Sequence, residues 1–201
     1  MRKLSPAAVV GVLAAVGLFF YARDAEARRR DAEFDSDAEA QSYAENEVTY
    51  DMPPVPTTHE FASVLDWMLP PVGTIRAHLT GTFDEMRGST RHGAVDFNYI
   101  GGQNGINLQH PAVRTPIDGE VTFSGGQYGT VKIEDSNGYS HEFLHLQTRA
   151  VSAGQHVTAG DVIGTMGGRG PLGPNQYAQH VHYQLKTPSG ALIDPVEFWN
   201  S

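Results

Sequence analysis

The chain has 201 residues, enough for one well-packed domain and a tail but not for two full domains. Its 14 basic and 23 acidic residues leave a formal charge of −9 and no Lys/Arg cluster beyond the triplet Arg28-Arg29-Arg30. That excludes nucleic acid as the partner, because phosphate contact depends on such clusters. Cysteine is absent, so disulfides and thiolate metal sites are excluded and any metal must be held by His, Asp or Glu.

In chain order, Arg2 and Lys3 precede an apolar run from Ala7 to Ala22, the pattern of an export segment. The run falls short of the roughly 20 residues of a comfortable span. Ala25-Glu26-Ala27 has the small-x-small form of a cleavage site, while Arg28-Arg29-Arg30 suits a retained anchor equally well. Residues 1–27 therefore read as a signal peptide or an N-terminal membrane anchor, and the product as exported: periplasmic, held on the outer side of the cytoplasmic membrane, or secreted. Any membrane contact would be through this segment. Residues 28–56 read as a linker, acidic and ending in Pro53-Pro54-Val55-Pro56. Residues 57–74 form a short helical lead-in. Thr57 or Thr58 is the expected cap, Phe61, Val64, Leu65 and Met68 recur at helical spacing, and Pro70-Pro71 stops the turn.

From residue 75 to 201 the period changes to two, between glycine corners, which predicts a mainly β domain of antiparallel strands with one face in the core. Val121 and Phe123 alternate with Glu120 and Thr122, and Val131 and Ile133 with Lys132 and Glu134. Asn137-Gly138 is a strong hairpin signal into a strand from Tyr139 to Leu146, and these strands are expected to pair in sequence. Val151, Gly154, Val157, Gly160 and Ile163-Gly164 mark short strands joined at glycines. A further strand runs from His180 to Lys186, and Phe198 and Trp199 are expected to plug the core.

The nine histidines carry the chemistry. In His180-Val181-His182-Tyr183-Gln184-Leu185-Lys186 the period of two sets His180 and His182 on the polar face, side by side. His145 ends the preceding strand and can join them. His141 has the phase of His145 and is read as structural. His92 and Asp96 lie four apart, a spacing that puts both on one face of a strand or a helix. His59, His78, His110 and His156 read as surface or hydrogen-bonded residues. Zinc suits such an inventory, since it takes imidazole nitrogen and carboxylate oxygen, and catalytic sites use three protein ligands with the fourth position open. Zinc so held activates a water for attack on a carbonyl, and the remaining imidazoles can take the proton and stabilise the oxyanion.

Several segments together resemble the lysostaphin-type, or LytM-like, zinc endopeptidases. They are Arg91-His92-Gly93-Ala94-Val95-Asp96-Phe97; Val113 to Val121; Gly138-Tyr139 leading to Leu144-His145-Leu146; the glycine-spaced stretch Val151 to Gly167; His180-Val181-His182-Tyr183; and Ile193-Asp194-Pro195. The resemblance runs from about Thr80 to Trp199. It implies an open antiparallel β-sheet crossed by a groove, and His92, Asp96 and His182 as ligands of one zinc ion. His145 and His180 would be the catalytic pair beside it. The implied substrate is the stem peptides and cross-bridges of bacterial peptidoglycan, cut by a monomer. The sequence departs from the family at Ala94, where glycine is usual, and in two long segments, Asn98 to His110 and Gly168 to Gln179, which are expected to wall the groove. The main alternative is an inactive relative that uses the same groove as a cell-wall binding or regulatory module. A lipoyl- or biotinyl-carrier module is ruled out by the lack of a lysine between Val151 and Gly164. A metal-storing or carbohydrate-binding β domain would not require His145 and His180 beside a complete ligand set.

Overall fold

The computed structural model of the chain describes residues 60–201. The expected export segment, the acidic linker, Thr57, Thr58 and His59 lie outside the described residues. Among the described residues no helix is long and apolar enough to cross a membrane.

The chain enters through helix α1 (Phe61–Met68), which ends before Pro70-Pro71 and buries Phe61, Val64, Leu65 and Met68 in the core. Burial of side chains of this kind contributes about 1.5–3 kcal/mol each. The Phe61 amide donates to Asn200 Oδ1 at 2.8 Å, tying the helix to the far end of the domain. Then follow β1 (Ala77–Gly81), the small hairpin β2 (Met86–Arg87) and β3 (Thr90–Arg91), and β4 (Val95–Tyr99). A 3-10 turn (Gly105–Gln109) leads to β5 (Ala112–Arg114), β6 (Gly119–Gly125), β7 (Thr130–Glu134), β8 (Ser140–Leu144), β9 (Thr148–Arg149), β10 (His156–Val157) and β11 (Val162–Thr165). The chain closes with β12 (Val181–Lys186), β13 (Leu192–Ile193) and a short helix α2 (Pro195–Trp199).

The main sheet is antiparallel, in the order β1-β4-β12-β8-β7-β6-β10, with β13 beside the C-terminal end of β12. A second sheet, β5-β11-β9, joins the same core through Val113 and Ile163. The expected pairing in sequence holds for β6, β7 and β8. β12, from late in the chain, then inserts between β8 and β4, and this one insertion makes the site. Directly paired residues share a face. Phe97 is opposite Val181, Tyr183 opposite Phe143, and Phe143 opposite Val131, and all are fully buried. On the other face Asp96 is opposite His182, and His182 opposite Leu144. The hairpin between β7 and β8 turns where expected: Gly138 has φ 81°, and Asp135 Oδ1 accepts from the amides of Asn137 and Tyr139.

Three expectations need correction. Phe123 does not share the buried face of Val121: a bulge between the two shifts the register against β7, so Phe123 turns outward beside Lys132 and is 41% exposed. His141 and His145 do not share a face, because β8 ends at Leu144 and His145 takes a left-handed backbone with φ 67°. Phe198 and Trp199 are only half-buried and cap the core's edge instead of filling it. Trp199 Nε1 donates to the Tyr183 hydroxyl at 3.2 Å, and that hydroxyl lies 2.7 Å from His141 Nδ1. His141 is fully buried in this chain of contacts, and its Nε2 is 3.9 Å from Asp135 Oδ2. Burial pushes its imidazole down to about 4, against the opposing pull of Asp135.

Candidate metal centre

Three segments meet on the open face of β4, β12 and β8. His92 lies just ahead of β4, Asp96 on β4, and His182 on β12 directly across from Asp96. Asp96 Oδ1 is 2.9 Å from His182 Nδ1 and 3.3 Å from His92 Nε2, and the two imidazole nitrogens are 3.2 Å apart. These three donors form a compact triangle from which a metal ion could be held. The edge of a zinc tetrahedron with N and O ligands near 2.0–2.1 Å is about 3.3 Å, close to all three separations. The donor set fits zinc in kind as well: two imidazoles and one carboxylate leave a fourth position for solvent or substrate.

Neighbouring carbonyls set the ring orientations. His92 Nδ1 is 2.9 Å from the Thr82 carbonyl, so the N–H is donated there and Nε2 keeps its lone pair for the site. His145 Nδ1 lies 2.7 Å from the Arg169 carbonyl and His180 Nδ1 2.6 Å from the Ala178 carbonyl, which fixes the same tautomer in both. The His145 ring centre is 4.9 Å from that of His180 and 5.5 Å from that of His182. His180 Nε2 is 3.7 Å from Asp96 Oδ1. All five residues singled out in the sequence thus gather in one place. The left-handed turn at His145 brings it there: continued as a strand, the residue would point into the core with Phe143.

The electrostatics follow from burial and pairing. Burial alone would raise the Asp96 carboxyl, but the hydrogen bonds from His182 and from the Arg87 guanidinium outweigh it and hold the group well below the usual carboxylate range. Burial pushes His92 and His180 down, and takes His145 down to about 4 against the hydrogen bond to Arg169. An imidazole with a bare ring nitrogen aimed at the site is what both metal ligation and proton abstraction require.

The two long segments meet at the site's edge. Gln103 Nε2 donates to the Gln179 carbonyl at 3.0 Å while the Gln179 amide donates to Gln103 Oε1 at 2.5 Å, so one side-chain amide pairs both main-chain groups of a residue next to His180. Asn98 Nδ2 reaches the same carbonyl at 3.0 Å. Buried Asn107 does likewise for Tyr99, accepting from its amide at 3.0 Å and donating to its carbonyl at 2.8 Å. Tyr177 sets its ring 4.6 Å from that of His145. His78 and His110 bond main-chain carbonyls and His156 is exposed, as expected.

Residues 92–195 match the profile of the family described as Peptidase family M23, over half of the chain. The chain belongs to peptidase family M23. The matched stretch begins at His92 and takes in the whole cluster, and membership classes the domain among the metallopeptidases. The chain is 43% identical over 83 residues to a protein named peptidoglycan DD-endopeptidase ShyC from Vibrio cholerae serotype O1, covering 36% of this chain and 18% of the relative. It is 33% identical over 106 residues to the lipoprotein YgeR of Escherichia coli strain K12, covering 49% of this chain and 39% of that one. The chain thus spans less than two fifths of these curated relatives. Among solved structures, LytU matches at 26% identity with a TM-score of 0.48, over 61% of this chain and 83% of that one. The lysostaphin catalytic domain of Staphylococcus simulans matches at 23% and 0.46, over 63% and 92%.

The sequence reading passed over Arg87. Its Nη2 lies 2.5 Å from Asp96 Oδ2. A signal was available in Gly88-Ser89, a two-residue hairpin turn with φ 66° at Gly88, which folds β2 back beside the first ligand.

Proposed function

We propose that this M23 domain is a zinc-dependent endopeptidase that hydrolyses peptide cross-bridges of bacterial peptidoglycan, as an exported monomer. The observation that carries the reading is the meeting of a three-donor triangle with two further histidines, His145 and His180, whose Nδ1 atoms sit on main-chain carbonyls and leave Nε2 bare. A storage or purely structural metal site has no use for that second pair.

In this reading His92 Nε2, Asp96 Oδ1 and His182 Nδ1 would hold one zinc ion, the proton that His182 Nδ1 shares with Asp96 leaving as the metal binds. Zinc so held supplies Lewis acidity, polarising a carbonyl and lowering the pKa of a water toward neutrality. The protein's own part is positional. Arg169 and Ala178 carbonyls lock the rings of His145 and His180, so that one Nε2 can take the water's proton and return it to the leaving amine. The other must first carry a proton before it can donate to the oxyanion, so the pair divides the roles of base and oxyanion stabiliser. The segments around Gln103 and Tyr177, at the edge of the site, would select the peptide that enters. The peptidoglycan assignment draws on the family and on the relative named a DD-endopeptidase, which makes a D-Ala-linked cross-bridge the first bond to assay. Export to reach that substrate agrees with the apolar N-terminal run.

The test is digestion of purified sacculi of differing cross-bridge type, with and without a chelator, with released fragments identified by mass. Chelator-sensitive release of cross-link halves is expected from at least one type. Binding to sacculi without release would instead favour a non-catalytic cell-wall module.

A further inference from the structure

The two oxygens of Asp96 are divided. Oδ1 faces the imidazoles of His92, His180 and His182, whereas Oδ2 is held by the Arg87 guanidinium at 2.5 Å. Asp96 is 5% exposed, so this ion pair is made on the inner side of the site, while Arg87 reaches in from the β2–β3 hairpin with its own side chain 43% exposed. Two further features are arranged around the contact. Glu85 Oε1 accepts from Arg87 Nε at 2.9 Å and Nη2 at 2.7 Å, and Glu85 Oε2 accepts from the Thr82 amide at 3.0 Å. Thr82 in turn supplies the carbonyl that orients His92. At Gly81, opposite Asp96 in the β1–β4 pairing, an added Cβ would stand 2.5 Å from Arg87 Nη2 and 2.9 Å from Asp96 Oδ2. A side chain there would crowd the guanidinium where it lies against the carboxylate.

A cation beside a site for a dication is unfavourable unless it is both useful and compensated. Glu85 supplies the compensating charge, so that Arg87, Glu85 and Asp96 together retain one negative charge. The use lies in the geometry: a carboxylate free at both oxygens can chelate a metal through both, whereas one whose second oxygen is engaged binds through the first alone. We propose that Arg87 is a positioning residue that holds Asp96 to coordination through Oδ1, raising metal affinity and keeping the fourth coordination position clear. The proposal rests on His92, Asp96 and His182 being the metal ligands.

The experiment compares the full chain with Arg87→Met and Arg87→Lys. Zinc affinity is read by competition with a chromophoric chelator, the cobalt(II)-loaded proteins are read by visible absorption, and the metal-free proteins by thermal melting. Loss of a partner of this kind is expected to weaken zinc about 10–100-fold in Arg87→Met. It should also lower the intense visible bands of four-coordinate cobalt as a second oxygen joins. Arg87→Lys, which can still donate to Oδ2, should lose less and keeps the hairpin charged if the methionine variant folds poorly. A hairpin contact of merely structural value would lower the melting temperature and leave the metal readouts alone. Wild-type zinc affinity and an unchanged cobalt spectrum in both variants would therefore overturn the proposal. Failure of the wild-type chain to bind zinc would instead remove the ligand assignment beneath it.

Discussion

Gly167 is the position where the frame of the catalytic pair can be perturbed without touching a ligand. The His180 amide donates to its carbonyl at 3.0 Å. A Cβ placed on it would lie 2.5 Å from the Gln147 nitrogen, 2.6 Å from the His145 carbonyl oxygen and 2.8 Å from Gln147 Cα. All three are main-chain atoms, so no side chain can rotate aside. Restoring ordinary contact requires the segment 145–147 to move about 0.9 Å away from Gly167, which is bridged to His180. Overpacking of this size costs about 1–3 kcal/mol. At roughly 2–4 °C per kcal/mol, a loss of about 2 kcal/mol should lower the melting temperature of Gly167→Ala by about 4–8 °C. A displacement near 1 Å at a reacting pair costs about 10²-fold in rate. Zinc content should stay at the wild-type level, because Asp96 and His182 are held by the pairing of β4 with β12. Melting curves, metal analysis and turnover on sacculi decide the matter together. Turnover within threefold of wild type in a variant that melts lower would refute the claim that the His145–His180 alignment sets the rate. An unchanged melting temperature would refute the close-approach reasoning itself.

Other expectations are simpler to check. His182→Ala and Asp96→Asn should each abolish zinc retention and lysis, read by metal analysis and a turbidity assay on sacculi; a variant that loses lysis with zinc intact would misplace that residue among the ligands. His145→Ala should abolish lysis and keep zinc, and intact lysis would remove His145 from the proposed base and oxyanion pair. Buried His141 titrates near 4 when folded and near 6.5 when unfolded. As the pH falls from 6.5 to 4 the unfolded chain therefore binds a proton that the folded one refuses. Stability present above pH 6.5 should drain away across that window by up to about 3 kcal/mol. In urea titrations of metal-free protein the wild type should lose more between pH 7 and 4 than His141→Leu does, and parallel losses would count against the assignment.

Much of the site was legible because strand periodicity is a local property. Val181, Tyr183 and Leu185 against His180 and His182 need nothing beyond alternation, and Asn137-Gly138 announces its own hairpin. What escaped was non-local or lay in single torsions. The bulge between Val121 and Phe123 depends on the partner strand, and so inverted the aim of Phe123. The positive φ of His145 breaks the alternation one residue after β8 ends, and separates it from His141 although the spacing equates them. The neighbourhood of Asp96 and His182 comes from β12 inserting between β4 and β8, which pairing in sequence does not predict. Arg87 carries no periodic mark at all, and its importance rests on the space that Gly81 leaves.

The carboxamide clasps made by Gln103 and Asn107 have a consequence for how the protein meets its surroundings. Neither group gains or loses a proton anywhere in the range where imidazoles do, so the hydrogen bonds that tie the border of the site are themselves indifferent to pH there. The agents that loosen its border are those that compete for amides, such as urea, and not those that change charge.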